Sequence, residues 1–174
     1  MLKDRNDAYE LLKELHAPDR LICHAQLVEQ AADLLLREFR ILSVSCDGLA
    51  VKLGAVLHDA GKTQYPEELS EPGSLHEPAG EALLLAYGVQ PEVARCCTSH
   101  GAWSLPQVSF EERIVALADK LWKGKRESDL ELSVIDETAS RLGLSRWDVF
   151  ERLDTAFEEI AAGAAERVKE SRSA

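Results

Sequence analysis

Between residues 19 and 41 the apolar side chains Leu21, Ala25, Val28, Ala32, Leu35 and Phe39 recur every three or four positions. That spacing places them along one side of an α-helix. The same period returns along most of the chain, and the alternating Val, Ile and Thr runs that mark strands do not appear. The sequence therefore predicts an all-α fold, a bundle of roughly seven to eight helices. The expected segments are about 5–15, 19–41, 48–59, 76–87, 91–100, 110–123, 127–142 and 146–161. Their ends are punctuated. Gly61, Gly88 and Gly143 act as stops, and Pro91 sits where a first helical turn tolerates proline. Ser109-Phe-Glu-Glu112 reads as a capping box, and Ser145-Arg-Trp-Asp148 opens the last expected helix. Thr63 to Gly73, with two prolines and a glycine, is expected to be a loop with at most one turn of helix.

Composition narrows the function classes. The 174 residues suffice for one domain that buries roughly 70% of its unfolded surface. No apolar run reaches the ~20 residues that cross a bilayer. The opening MLKDRNDAYE has no apolar signal segment, so the expected location is cytoplasmic. Cys23, Cys46, Cys96 and Cys97 lack the spacing of a zinc or redox motif and read as small buried hydrophobes. A net charge of −11 argues against long nucleic acid as a partner. One basic run stands apart, Lys120-Leu-Trp-Lys123-Gly-Lys125-Arg126. It is either a site for a small anion or a solvated helix end with cations favoured by the helix dipole.

The five histidines are His16, His24, His58, His76 and His100. His24 shares a helical face with Leu21, Val28, Ala31 and Leu35; His58 follows Val51 and Ala55 on an apolar side. His76 precedes Ala79, Leu83 and Tyr87 at helical spacing, and His100 follows Val93, Cys96 and Cys97. One inward histidine is usually a satisfied core residue. Four on four helices, one of them next to Asp59, can instead share a metal ion that serves several imidazoles at once. His16, before Ala17-Pro18, reads as a helix-end or surface residue. By helical phase Asp119 falls beside Glu112, Ala116 and Lys123 at the edge of a polar face, which periodicity alone would read as solvated.

The order His24 … His58-Asp59-Ala-Gly-Lys62 … His76 … His100 … Asp119 resembles the HD superfamily of metal-dependent phosphohydrolases. The resemblance covers about residues 16–126. It implies a single HD-domain bundle spanning 1–174, with covering or subunit-contact helices over about 127–162 and a frayed tail over 163–174. Within the superfamily the pattern is similar to the bacterial hydrolases that split diadenosine tetraphosphate symmetrically. Those share a histidine opening a helix like His76, a histidine before small residues like His100-Gly101, and an Ala-Asp-Lys element like Ala118-Asp119-Lys120. Here His100 is followed by Gly-Ala-Trp103, where that group has a Thr-Thr-Gly run, and the Gly-Tyr-Pro signature of cyclic-dinucleotide phosphodiesterases is absent.

By this resemblance His24, His58, Asp59 and Asp119 hold one divalent ion and His76 and His100 a second, with Asp59 bridging. Imidazole and carboxylate ligation suits iron, manganese, nickel, cobalt or zinc. A metal-activated water would then attack phosphorus. Lys62, one turn beyond Asp59, would meet charge developing on the phosphoryl oxygens. Lys123, Lys125 and Arg126 would hold further phosphates of a nucleotide, and Trp103 would either stack on a base or pack. The expected partner is thus a small phosphate ester, with room left for a homo-oligomer. Two other readings use the same scaffold. One is a di-iron oxygenase resembling inositol oxygenase; the other is a metal-stabilised sensing module without turnover.

Overall fold

The computed structural model describes residues 1–171, with side chains described through residue 169. Among the described residues ten α-helical segments and two 3₁₀ turns follow in order, and no strand occurs. The first three are α1 (Arg5–Glu14), α2 (Asp19–Ile41) and α3 (Gly48–Leu57). Then come α4 (His76–Ala86), the single turns α5 (Pro91–Ala94) and α6 (Cys96–Ser99), and α7 (Phe110–Leu121). The chain continues through α8 (Ser128–Leu142), α9 (Arg146–Ala162) and α10 (Ala164–Ser171). No described helix is long and apolar enough to cross a membrane.

Local chemistry sets these boundaries. Asp4 caps α1 and Asp47 caps α3, each carboxylate accepting two backbone N–H bonds at the helix start. The capping box at α7 forms: the Ser109 backbone N–H donates to Glu112 Oε2 at 2.9 Å and the Glu112 N–H to Ser109 Oγ at 3.2 Å. Gly143 closes α8 at φ 65°, a left-handed conformation that glycine adopts without Cβ strain.

Three expectations need correction. The segment expected as one helix over 91–100 divides at Arg95, where the backbone tightens to an i→i+3 bond from Thr98 N to Arg95 O at 3.0 Å. The helix expected to reach Asp59 ends at Leu57, and a 3₁₀ turn follows at Ala60–Thr63. The tail expected to be frayed instead forms α10 through Ser171 and packs on α2 and α9; residues 172–174 lie outside the described residues. Arg167 explains why a polar segment docks. Its Nη2 donates to the carbonyls of Leu121, Trp122 and Ile160, where α7 and α9 end.

Two apolar clusters form the interior. One gathers Val28, Leu35, Phe39, Leu117, Leu130 and Phe157 from α2, α7, α8 and α9. The other joins Leu12, Leu53, Leu57, Leu84 and Val93 from α1, α3, α4 and α5. Helix α7 runs through the middle and packs on α2, α3, α6, α8 and α9. The 3₁₀ turn after Asp59 meets α4 backbone to backbone. A Cβ on Gly61 would overlap the His76 carbonyl oxygen and stand 2.7 Å from the Gly80 nitrogen. No side-chain rearrangement relieves a clash with main chain.

Gly61→Ala should therefore destabilise the protein by about 1–3 kcal/mol or more, read by denaturant unfolding. Gly48→Ala is the control. Its new methyl would meet Leu36 at 3.9 Å, an ordinary contact, so it should be neutral or slightly stabilising. Equal midpoints for Gly61→Ala and the parent protein would contradict the close approach.

Candidate metal centre

The site forms where α2, the α3-to-3₁₀ junction, α4, α6 and α7 converge. His24 comes from α2, and His58 and Asp59 from the two residues between α3 and the 3₁₀ turn. His76 opens α4, His100 follows α6, and Asp119 lies in the last turn of α7. Asp59 and Asp119 are both buried, as are His58, His76 and His100. His24 is partly buried. Helical phase had put Asp119 at a solvated edge. That is corrected here, because α7 is packed on nearly all sides and has no solvated edge at that position.

The ligand atoms fall into two triads, His24–His58–Asp119 and Asp59–His76–His100, each with its three atoms within 4.8 Å of one another. In the first, His24 Nε2 and His58 Nε2 stand 3.2 Å apart, and each is 3.7 Å from Asp119 Oδ1. In the second, Asp59 Oδ1 is 3.2 Å from His76 Nε2 and 3.8 Å from His100 Nε2. Asp59 Oδ2 turns the other way, 3.1 Å from His24 Nε2. One carboxylate thus offers an oxygen to each triad.

Ring orientation is set from behind. His58 Nδ1 lies 2.9 Å from the Ala55 carbonyl oxygen and His100 Nδ1 lies 3.1 Å from that of Cys96. A carbonyl only accepts, so in each ring the proton sits on Nδ1 and the Nε2 lone pair faces the centre. Asp59 Oδ1 and His76 Nε2 are buried with no hydrogen-bond partner. Two orphaned polar atoms, imidazole lone pairs aimed inward and carboxylates among them form a donor set that fits divalent transition-metal ions.

Electrostatics agree with that fit. Burial works against the charge of Asp59, yet His58, His24 and His76 hold its carboxyl well below the usual range. Asp119 behaves alike under His58, Lys123 and Lys120. Burial pushes the His100 imidazole down to about 4, and it lowers His24 as well. Burial opposes charge on His58 and His76 too, but neighbouring carboxylates raise both.

A protein-family model described as HD domain matches residues 21–122, more than half of the chain. The chain belongs to the HD domain family. No curated protein and no solved structure matches it.

The HD centre opens into a cavity of about 610 Å³, within the usual range for a small-molecule site. Lys62 and Lys123 line it. Trp103, Lys125 and Arg126 are not among its lining residues. Trp103 packs against the larger apolar cluster. Lys125 pairs at 3.6 Å with Glu127. Arg126 donates to both oxygens of Glu131 at 2.8 Å and to Asp154 at 2.6 Å, tying α8 to α9. The resemblance assigns Lys123, Lys125 and Arg126 to phosphates together, but the turn at Gly124 splits them. Lys120 and Lys123 stay with Asp119, at 3.1 and 3.5 Å, while Arg126 faces the other way.

Several lining residues carried no sequence signal. Trp122, the residue after α7, sets its ring 5.1 Å from that of His24 and donates Nε1–H to Asp119 Oδ1 at 3.3 Å. Glu77, Arg20 and Cys23 also face the cavity. So does Val168 of α10, within the 163–174 segment expected to be a frayed tail. His16 is exposed at the end of α1, as its position implied; all four cysteines are free thiols, and Cys96 and Cys97 are buried as expected, whereas Cys23 and Cys46 are only partly buried.

Two predictions follow from the HD centre. Binding of cobalt or nickel should quench tryptophan fluorescence, and Trp122→Phe should remove most of that quench although Trp103 and Trp147 remain. A quench that survives Trp122→Phe would place the ion elsewhere. Imidazoles bind metal only when neutral, and the raised pKa values of His58 and His76 mean that protons compete from above the ordinary histidine value. Apparent affinity should therefore fall on the order of tenfold from pH 8 to pH 6, measured by calorimetry with proton release. Affinity independent of pH would exclude these histidines as ligands.

Proposed function

We propose that this chain is a metal-dependent phosphohydrolase acting on a nucleotide or similar small phosphate ester. The observation that carries the reading is the placement of Lys62. Its ammonium lies 2.6 Å from Asp59 Oδ2 and faces the cavity, so a cation stands beside the centre where a phosphoryl group would enter. Bound divalent ions would supply Lewis acidity and an activated water there. The chain's own residues do the rest. Lys62 meets negative charge developing on the phosphoryl oxygens, and its position on a short 3₁₀ turn buried against α4 keeps it preorganised. Lys120 and Lys123, on the last turn of α7 and just beyond it, are positioned for a second phosphate. Leu27, Leu69, Trp122 and Val168 give the same cavity an apolar wall suited to a nucleobase.

The sequence pattern makes dinucleoside polyphosphates the first substrates to test. The acidic net charge supports a small-molecule partner over long nucleic acid. Iron, manganese, nickel, cobalt and zinc are all compatible with the donor set.

The decisive experiment is a screen of mononucleotides, dinucleoside polyphosphates and cyclic dinucleotides, each with added manganese, cobalt, nickel or iron. Release of phosphate or of a smaller nucleotide, abolished by His58→Ala, is the expected result. Lys62→Ala should lower kcat by about 10²–10³-fold while the bound metal is retained. No turnover in the whole panel, with oxygen uptake on a polyol or phosphonate instead, would replace hydrolysis by oxygenase chemistry.

A further inference from the structure

We propose that Glu68 is a positioning residue that secures a metal ion in the half-centre of Asp59, His76 and His100. It does so by holding the His76 ring with Nδ1–H outward and the Nε2 lone pair toward Asp59 Oδ1. The inference rests on the metal-dependent reading above. Glu68 lies in the Thr63–Gly73 stretch, on a second 3₁₀ turn at Pro66–Leu69. Its Oε2 stands 2.5 Å from His76 Nδ1 and accepts the His76 backbone N–H at 3.1 Å. Its Oε1 accepts the Leu75 backbone N–H at 3.1 Å. The carboxylate therefore grips both the ring and the backbone of His76 just where α4 begins, and the helix start adds its own preference for an anion.

The enclosure is specific. The Glu68 side chain is 6% exposed although it belongs to a surface loop. Gly73 folds so closely over it that a Cβ there would overlap the carboxylate. Arg20 of α2 donates to Ser70 Oγ at 3.1 Å and ties the far end of the same loop down.

The consequence lies on the opposite side of the ring. With Nδ1–H given to Glu68, a neutral His76 presents a lone pair on Nε2 to Asp59 Oδ1 at 3.2 Å. These are the two buried atoms without a hydrogen-bond partner at this centre. Two acceptors at that separation call for a cation between them. His58 and His100 give their Nδ1 protons to backbone carbonyls, whereas His76 gives its proton to an anion. An anionic partner makes imidazole a stronger donor to metal, and loss of such a partner typically costs 10–100-fold in affinity.

The test is titration of the metal-free full-length protein with cobalt, comparing the parent with Glu68→Ala and Glu68→Gln. The parent should take up two ions. Glu68→Ala should lose about 10–100-fold in affinity for one and stay within about twofold for the other, whose binding is followed by Trp122 quenching. Glu68→Gln keeps an acceptor oxygen without the charge and should fall between, which decides the matter if the alanine variant does not fold by circular dichroism. In proton spectra of the cobalt-loaded parent, the His76 Nδ1–H should be a shifted, slowly exchanging resonance, and it should be lost in Glu68→Ala. One ion per parent chain would overturn the proposal, as would unchanged affinity for both ions in the variants, or loss of the Trp122-reported ion instead. A loaded parent that binds two ions and hydrolyses nothing would sink the hydrolase reading alone and leave the role of Glu68 standing.

Discussion

Asp59 is a carboxylate only 3% exposed, and the rest of the centre is arranged around the need to keep it charged. An ionised carboxylate moved from water into a protein interior loses several kcal/mol of solvation unless cations or strong donors replace the water. Its surroundings do so on both sides. His24 and Lys62 approach Oδ2, and His76 and His100 approach Oδ1. Four helices each contribute one histidine or carboxylate because no single helix can surround an anion. The bundle must therefore close correctly before the charge is tolerable. The same holds for Asp119 on α7, which gathers His24, His58, Trp122 and two lysines. Each anion lies in reach of His24 Nε2, so the two triads form one electrostatic unit.

Backbone contact supplies the precision that charge alone does not. Asp59 sits where a helix ends and a 3₁₀ turn begins, and its carbonyl accepts the Lys62 N–H at 3.0 Å. That bond fixes how far Lys62 stands from the carboxylate it pairs with. The turn is pressed onto α4 at Gly61 and Gly80, with the Cys97 thiol 3.0 Å from where a Gly80 Cβ would be. His76 lies one turn before Gly80 on the same helix. The small residues of Asp59-Ala-Gly-Lys62 thus set the spacing between the two halves of the centre.

Most of the fold and four of the candidate ligands were legible because they follow helical phase. His24, His58, His76 and His100 each lie on an apolar side of a helix or its extension, and burial follows from that. Asp119 was legible only through the family pattern. Phase identifies a polar edge, but α7 packs against five other helices and Asp119 is buried among them. Glu68 left no trace in periodicity, since it acts across eight residues from a non-repeating loop onto a ring nitrogen. Of the two readings open for Trp103, packing holds: the turn after α6 carries it onto the apolar core, and Trp122 stands beside His24. A run of cations looks uniform in sequence, but a left-handed glycine at φ 79° redirects everything after Gly124 toward α8 and α9.

The family match ends at residue 122, one position past the end of α7. The last turn of α7 carries Asp119 and Lys120, with Trp122 and Lys123 just beyond it. Arg167 donates to the carbonyls of Leu121 and Trp122 at the end of this turn, and Val168 beside it forms part of the cavity wall. Helix ends fray when their terminal carbonyls go unpaired, so the turn that carries Asp119 is supported by Arg167, 45 residues beyond the Trp122 carbonyl it holds. Partial burial lowers the pKa of the Arg167 guanidinium, whose Nη2 meets those carbonyls while its Nε is buried without a partner. The C-terminal helices are therefore part of the centre's support. A chain cut after the family match would keep every proposed metal ligand and lose the contact that holds the last of them in place.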